Sequence, residues 1–191
     1  VLGNINPDWN AGMNNKFTYK NWAASFLIDW QQGGSVFSLD LYYGMATGLY
    51  EETVFINDLG NPVRNLIEDG GGLILEGVLE DGSVNTKRVE GADYRVFGYS
   101  RNPNAAFVYD ASYLKLRELV LSYSLPSSLV SKVNWIQGAT FSLVGSNLWI
   151  IHKNLPHADP EASQSSGNVQ GWQSGVMPST LNVGFSINLQ F

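Results

Sequence analysis

Several features common in proteins are scarce or missing in this chain of 191 residues. Cysteine is absent, which excludes disulfide bonds and cysteine-ligated zinc sites but leaves the cellular compartment open. No apolar run approaches the roughly 18 residues that a spanning helix needs, so the sequence does not predict a helical membrane protein. Charged residues make up only 15%, against roughly 25% in ordinary soluble domains. The net charge of −6 and the absence of lysine and arginine runs argue against a nucleic-acid partner.

Aromatic residues are abundant by contrast, at 13% of the chain. Aromatic enrichment together with few charges is typical of proteins with much surface facing lipid or glycans. The chain starts at Val1 with neither an initiator methionine nor a signal peptide. We therefore expect its natural N-terminus to lie upstream, and we interpret the chain as part of a larger protein.

The C-terminal segment 180–191 alternates regularly between two kinds of side chain. Apolar residues occupy every odd position from Leu181 to Phe191, and small or polar residues occupy the even positions. Because successive side chains of a strand point to opposite faces, this strand has one apolar face and one polar face. A transmembrane β-barrel needs such a strand, with the apolar face in lipid. A soluble β-sandwich could use the same strand, so the pattern alone leaves both architectures open.

Five segments have strand patterns, and the connections between them are very unequal. The predicted strands lie near 14–20, 22–31, 111–123, 138–149 and 180–191. The first and third strands are followed by short turns, whereas the connections 33–110 and 152–179 are long. Outer-membrane barrels have short periplasmic turns and long extracellular loops. With Phe191 at the periplasmic end, both long connections become extracellular loops. Inside 33–110 we predict a short helix near Phe37 to Met45 and small strands at 73–79 and 88–96.

Aromatic side chains recur at spacings close to the thickness of a membrane. Trp22 and Trp30 share one face of the second strand, and eight residues at ~3.3 Å each with a ~45° tilt rise roughly 19 Å. Tyr113 and Tyr123 are predicted to share a face of the third strand, roughly 23 Å apart. Both values approach the ~25 Å apolar band between the aromatic girdles of barrels. The predicted girdle consists of Trp22, Trp30, Tyr113, Tyr123, Trp135 and Trp149, with Phe191 at the inner rim. Core aromatics of a soluble sandwich are the alternative interpretation.

Three motifs are distributed along the chain: Asn-Ile-Asn-Pro-Asp-Trp at 4–9, Ala-Ser-Tyr-Leu-Lys-Leu-Arg-Glu-Leu at 111–119 and Gly-Phe-Ser-Ile-Asn-Leu-Gln-Phe at 184–191. With other matching segments they occur in order and cover nearly the whole chain. They resemble the late barrel strands of SusC/RagA-type TonB-linked outer-membrane transporters. The resemblance implies an all-β fold in which residues 1–191 supply the last five antiparallel strands of a 22-stranded transmembrane barrel. It also implies that the final Phe191 is part of the signal read by the outer-membrane assembly machinery.

The resemblance further implies a function. Such transporters import oligosaccharides, or oligopeptides in some members, across the outer membrane of Gram-negative bacteria. They pair with a SusD-like surface lipoprotein that acts as a lid, and they are energised through TonB. The plug domain and the TonB-binding segment lie outside this chain, and the resemblance implies neither a cofactor nor an enzymatic activity. A soluble all-β glycan-binding module is the alternative.

Ligand contacts are predicted from aromatic and amide side chains of the long connections. Aromatic faces pack on sugar rings, and amides form hydrogen bonds with hydroxyl groups. The predicted contacts are Trp172, Gln170, Gln173, Tyr94, Tyr99 and Arg101. Packing within the loops, or contact with a lid protein, is an equally good explanation for each of them.

Catalytic and metal sites have weaker support in the sequence. His152 and His157, with Asp159 or Glu161 as a third ligand, lack the spacing of an established metal motif. Paired carboxylates can hydrolyse glycosides, but here they lie in different loops. Carboxylate and amide oxygens are calcium ligands, and a weak calcium site is predicted at Asn57, Asp58 and Asn61.

Overall fold

A long antiparallel sheet forms the main part of this computed structural model, which describes residues 1–133, 135–163 and 170–191. Its five strands are, in the order in which they pair, β1 (Trp9–Tyr19), β2 (Trp22–Gln32), β7 (Tyr113–Ser124), β8 (Gly138–Lys153) and β10 (Asn182–Gln190). Lys20 adopts a left-handed conformation, with φ of 53°, in the tight turn between β1 and β2. Most of the regular secondary structure in the described chain is strand, with few helices, and the predicted all-β class is confirmed.

The strand bounds differ from the predicted ones mainly at the ends. β1 begins at Trp9 rather than at 14. Asn10, Ala11 and Gly12 are poor strand formers, so the sequence did not predict them as strand, but in the structure they pair with β2. β8 continues to Lys153, four residues beyond its predicted end. The sheet ends at β1 and β10, and within the described residues each of these strands is hydrogen-bonded along one edge alone.

One face of this sheet is apolar from edge to edge and is exposed. Directly opposed residues of antiparallel strands lie on the same face, so the register assigns each side chain to a face. Trp22 is opposite Tyr123, Leu121 is opposite Leu143, and Phe185 is also opposite Leu143. Fourteen large apolar residues of this face are between 41% and 71% exposed: Trp9, Met13, Phe17, Tyr19, Trp22, Trp30, Leu119, Leu121, Leu143, Trp149, Val183, Phe185, Ile187 and Leu189. We call it the apolar face.

The opposite, polar face carries serine, threonine and asparagine side chains. Ser122 and Ser142 lie opposite each other with their hydroxyl oxygens 2.8 Å apart. Ser124 and Thr140 repeat this pairing at 3.0 Å. Such cross-strand hydroxyl pairs stabilise a sheet without covering its surface.

A β-bulge at Arg117 corrects the predicted orientation of Tyr113. β2 pairs Leu27 with Glu118 and Ile28 with Leu116, so Arg117 is an extra residue in β7. An extra residue reverses which face the odd-numbered side chains occupy. Tyr113 therefore lies on the polar face, not beside Tyr123 in the aromatic girdle, and it is only 6% exposed.

The connection 33–110 folds into short elements around a small core. β3 (Ser35–Ser38) leads directly into α1 (Leu39–Ala46), so the predicted helix begins two residues later than expected. The Ser38 hydroxyl accepts a hydrogen bond from the Leu41 amide at 3.1 Å and caps α1. β3 pairs with β6 (Val108–Asp110) and, in parallel, with β9 (Trp172–Gln173). The core consists of Val36, Leu41, Phe107, Ala111 and Leu155.

The small strands predicted at 73–79 and 88–96 are much shorter in the structure. They contain β4 (Leu73–Ile74) and β5 (Arg88–Val89), which pair with each other. Glycines with positive φ, Gly77 and Gly82, lie in the chain between them and favour turns. Short 3-10 turns lie at Glu51–Thr53, Ile67–Asp69, Tyr94–Val96 and Asn104–Phe107, and the short helix α2 is Ser127–Val130. Among the described residues, no helix has the length and apolarity to cross a membrane.

Candidate functional site

A cleft of about 430 Å³ lies on the polar side of the sheet. Its lining includes Gln31 of β2, Tyr113 of β7 and Glu161 from the connection between β8 and β10. A second cleft of about 320 Å³ adjoins it, and the two share Ile5, Ser35, Gln170 and Gly171. Aromatic walls from Phe37 and Trp172 make the second cleft more apolar. Together they form a groove with a polar half and an aromatic half.

The polar half is built on a network of charged side chains. Lys115 is 2% exposed and its ammonium group pairs with both Asp159 and Glu161. Arg117 binds the two carboxylate oxygens of Glu161 at 2.6 and 2.8 Å and also pairs with Asp29. The Tyr113 hydroxyl donates to Glu161 at 3.1 Å. The network therefore fixes residues from β2, β7 and the β8–β10 connection in one arrangement.

Asp159 is the most completely satisfied carboxylate of this network. One of its oxygens accepts from the Glu161 amide at 3.1 Å, and the other accepts from the Ser179 amide at 3.1 Å and from the Ser179 hydroxyl. Burial raises the pKa of Asp159, but the Lys115 and Ser179 donors outweigh burial and lower it to about 2. Burial also raises the pKa of Glu161, and Arg117 and Lys115 more than offset this and lower it. Both groups are therefore ionised at neutral pH.

The aromatic half continues into a chain of stacked rings. Trp172 contacts Phe37 with ring centroids 5.0 Å apart, and Phe37 contacts Tyr42 at 5.6 Å. Tyr42 stacks on Tyr99 at 5.0 Å with an interplanar angle of 20°. Pairing of β9 with β3 places Trp172 beside Phe37, and α1 carries Tyr42. Trp172 and Tyr99, predicted separately as ligand contacts, are thus the two exposed ends of one aromatic cluster, each 43% exposed.

The other predicted contacts are distributed differently. Gln170 lines both clefts. Gln173 is 3% exposed and its amide is bonded to Ser38 and Asp40, so it stabilises the loop instead of facing a ligand. Tyr94 packs on the Arg64 guanidinium at 4.7 Å, and Arg101 is exposed; neither lines the two clefts.

The predicted calcium ligands hold the loop together. The Asn57 side-chain oxygen Oδ1 accepts from the backbone amides of Leu59 and Asn61, and its Nδ2 donates to the backbone carbonyls of Gly70 and Gly72. The Arg88 Nη2 group donates to both carboxylate oxygens of Asp58. These contacts engage the side-chain oxygens of Asn57 and Asp58, two of the three predicted calcium ligands, in holding the loop.

The histidines are also engaged elsewhere than in a metal site. His157 lies 2.6 Å from a carboxylate oxygen of Glu52 and stacks on Tyr50, while His152 belongs to β8. In the part of the chain that the structure describes, no group of three His, Cys, Asp or Glu side chains is arranged to hold a metal ion.

The predicted girdle residues other than Tyr113 lie on or beside the apolar face. Trp22 contacts Tyr123 with centroids 4.7 Å apart, Trp30 contacts Trp9 at 4.9 Å, and Trp149 is 62% exposed. Trp135 stacks on Phe191 at 5.6 Å with an interplanar angle of 8°. The stack ties the chain end to the turn before β8.

Lys115 and Arg117 were not among the predicted site residues. Asp159, the partner of Lys115, and Glu161, the partner of Arg117, each lie 44 residues further along the chain, in a segment without secondary structure. A usable signal was nevertheless present. Lys115 lies in a strand between Leu114 and Leu116, and a lysine in such a context needs a buried partner.

The chain has relatives among proteins of known class. TonB-dependent receptors P3 and P26 of Formosa agariphila are 24% and 26% identical to it; the matches cover all of this chain and 17% and 18% of those proteins. The predicted resemblance to TonB-dependent receptors is confirmed. The chain thus spans less than a fifth of the curated relatives it matches. No protein-family model matches it.

Solved structures give the same result for the fold. The RagAB peptide importer in its closed-closed state matches all of this chain with a TM-score of 0.65 and 20% identity, over 18% of its own chain. A second RagAB peptide transporter structure matches all of it with a TM-score of 0.61 and 22% identity, again over 18% of that chain. The arrangement of strands and connections therefore has a counterpart inside a larger transporter.

Proposed function

We propose that this chain is the C-terminal part of a SusC-like TonB-dependent importer in the outer membrane of a Gram-negative bacterium. The observation that carries the proposal is the apolar face. Fourteen large apolar side chains cover one side of the sheet, and no element of the described chain packs over them. A soluble protein rarely exposes so large a continuous apolar surface, whereas a barrel places it in lipid.

The open edges of the sheet support the same proposal. β1 and β10 have unpaired edges in the described chain, and a lipid environment does not tolerate unpaired backbone groups. Further strands of the same protein would pair with both edges and close a barrel, for which we propose 22 strands by analogy with the family. In this arrangement residues 1–191 hold the last five strands, the polar face lines the lumen and the plug lies upstream.

The direction of the strands follows from the lengths of the connections. The turn between β1 and β2 and the connection containing α2 are short, and we place them in the periplasm together with Phe191. The connections 33–110 and 152–179 then form extracellular loops. They build the groove above the lumen, where a nutrient would first bind.

The groove supports import of an oligosaccharide or an oligopeptide. Its aromatic half, with Trp172 and Phe37, can pack on a sugar ring or an apolar side chain, and its polar half offers hydrogen bonds to either ligand. The RagAB structures are of a peptide importer, and this chain resembles one of its segments. We propose a SusD-like surface lipoprotein as the lid, and TonB, acting through the upstream part, as the source of energy. Import does not require a cofactor or a catalytic residue in this segment.

Uptake by cells that carry the complete protein tests this proposal. Fluorescent oligosaccharides and oligopeptides are offered to cells with the protein, without it, or without TonB. Labelled ligand should enter only cells that have both proteins, and the accepted ligand identifies the substrate class. The protein should also require detergent for extraction. A complete protein that is monodisperse in plain buffer and binds glycans there would instead support a soluble glycan-binding module.

A further inference from the structure

One segment of the β8–β10 connection, residues 155–163, lies across the polar face. It contributes to the lining of the cleft of about 430 Å³ that forms the polar half of the groove. We call this segment the strap. Pro160, Glu161 and Ser163 of the strap line this cleft together with Gln31 and Tyr113 of the sheet. The position of the strap therefore affects the shape of the cleft.

The strap's backbone contributes little to holding it on the sheet. Among the described residues, its backbone hydrogen bonds run within the strap, from Ala158 to Pro156, from Ala162 to Asp159 and from Ser163 to Glu161. Attachment depends on side chains: Leu155 is fully buried in the small core, and the Lys153 ammonium donates to the Ala158 carbonyl at 2.7 Å.

A further attachment is an ion pair that is almost completely removed from water. The side chains of Lys115 and Asp159 are 2% and 4% exposed. Two buried charges are tolerated only while they neutralise each other, and removing one partner leaves the other desolvated and unpaired. The unpaired group can regain water by local opening of the strap, because few backbone bonds oppose it.

Asp159 also extends this attachment to the last strand. It accepts two hydrogen bonds from Ser179, three residues before β10 begins, and Asn147 of β8 donates to the Thr180 carbonyl at 3.1 Å. The other end of the network, Glu161, is held by Arg117 and Tyr113. The contacts of the Asp159 carboxylate with Lys115 and Ser179 thus fix the connection between β8 and β10 near both of its ends.

We propose that the Lys115–Asp159 ion pair is the positioning contact that holds the strap over the sheet and thereby shapes the ligand cleft. Neither residue lines the cleft, so both act through Glu161 and its neighbours. The proposal rests on the proposed import function for its effect on ligand binding. Its structural part, the docking of the strap, can be measured without any ligand.

Hydrogen exchange in the complete protein, inserted in vesicles, tests the docking. Lys115→Met removes one charge at similar length and should accelerate exchange of the Ser179 amide and of the strap amides by about 100-fold or more. Amides in the centre of β2 and β8 should keep their protection. Asp58→Asn, which breaks an exposed ion pair in the other loop, is the matched control and should leave the strap unchanged.

A double variant distinguishes the effect of leaving Asp159 without its cation from the effect of losing the lysine side chain. Lys115→Met with Asp159→Leu replaces both charges by apolar groups. It should restore most of the protection that Lys115→Met removes from the Ala158, Ala162 and Ser163 amides, which donate to backbone carbonyls of the strap. The Ser179 amide loses its acceptor together with Asp159 and should remain unprotected. The double variant also provides the test if the single variant does not assemble. The proposal is wrong if Lys115→Met leaves strap exchange unchanged, or if the double variant opens the strap as fully as the single one.

Uptake measurements test whether docking of the strap affects ligand binding. In Lys115→Met the KM for uptake should rise about tenfold while the maximal rate per assembled barrel changes little, because the wall that binds ligand is displaced. The double variant should recover the lower KM. If wild-type cells import nothing, the proposed function fails, and hydrogen exchange still decides whether the ion pair holds the strap.

Discussion

Placing a charge at the centre of the apolar face tests the membrane interpretation most directly. Phe185 lies in the middle of β10, is 65% exposed and faces the same side as Leu143. Six residues separate it from Phe191, and at ~3.4 Å each with a ~45° tilt this is roughly 14 Å, near half of the ~25 Å apolar band. If the Trp135–Phe191 stack marks the inner rim, Phe185 lies close to the midplane of the bilayer.

The expected penalty follows from this depth. Phe185→Arg should destabilise the barrel by about 2–4 kcal/mol, the value for arginine at the bilayer midplane. Leu189 is two residues from the rim, so Leu189→Arg should cost about 0–1 kcal/mol. Ser186 lies on the polar face opposite Ser142, and Ser186→Arg should change stability by less than about 0.5 kcal/mol. Urea unfolding of the complete protein in lipid vesicles measures all three.

The comparison separates a lipid-facing surface from a protein core. In a soluble sandwich the same face would be covered by protein, and Phe185→Arg would be just as harmful in plain buffer. In a barrel the penalty should fall in thinner bilayers, because the charged group then lies closer to water. Equal penalties for Phe185→Arg and Ser186→Arg, or for Phe185→Arg and Leu189→Arg, would refute the membrane interpretation of β10.

Three further predictions concern the chain end, the aromatic cluster and the strap. Phe191→Asp should lower the amount of assembled protein in the outer membrane more than uptake per assembled barrel, and unchanged membrane levels on immunoblots would contradict this. Trp172→Ala should raise the KM for uptake, whereas Tyr94→Ala, away from both clefts, should not. Because the pKa of Asp159 is lowered from 3.8 to about 2, its stabilisation is complete above about pH 4 and is lost as the pH falls through 2. Protease protection of the strap should therefore be constant from pH 8 to pH 5, and a loss near pH 6 would contradict this assignment.

Local patterns in the sequence predicted the sheet, whereas its irregularities were missed. The alternation in 180–191 corresponds to β10, and Trp22 and Trp30 lie on one face as predicted. Both features depend only on the two-residue repeat with which side chains alternate along a strand. The start of β1 was missed because pairing with β2 outweighs the low strand propensity of Asn10 and Gly12.

The candidate site was predicted less completely for a different reason. Trp172 and Gln170 were identified by residue type, and both line the groove. The ion-pair network joins residues that lie 44 positions apart in the sequence, and a repeating pattern of side chains within a strand does not indicate such contacts. Gln173 was misjudged because its burial results from the pairing of β9 with β3, which the sequence does not reveal.

The bulge at Arg117 explains why one strand can serve both an apolar face and a buried ion network. Leu119, Leu121 and Tyr123 occupy odd positions on the apolar face, and uninterrupted alternation would place Lys115 and Arg117 there too. The extra residue reverses the pattern, so Leu114 and Leu116 face the apolar side instead. In a barrel, those two cations would otherwise lie in lipid, where each is strongly unfavourable. The shift of apolar residues from even to odd positions between Leu116 and Leu119 is visible in the sequence, and it is the signal from which the bulge, and with it the face that Lys115 occupies, can be predicted.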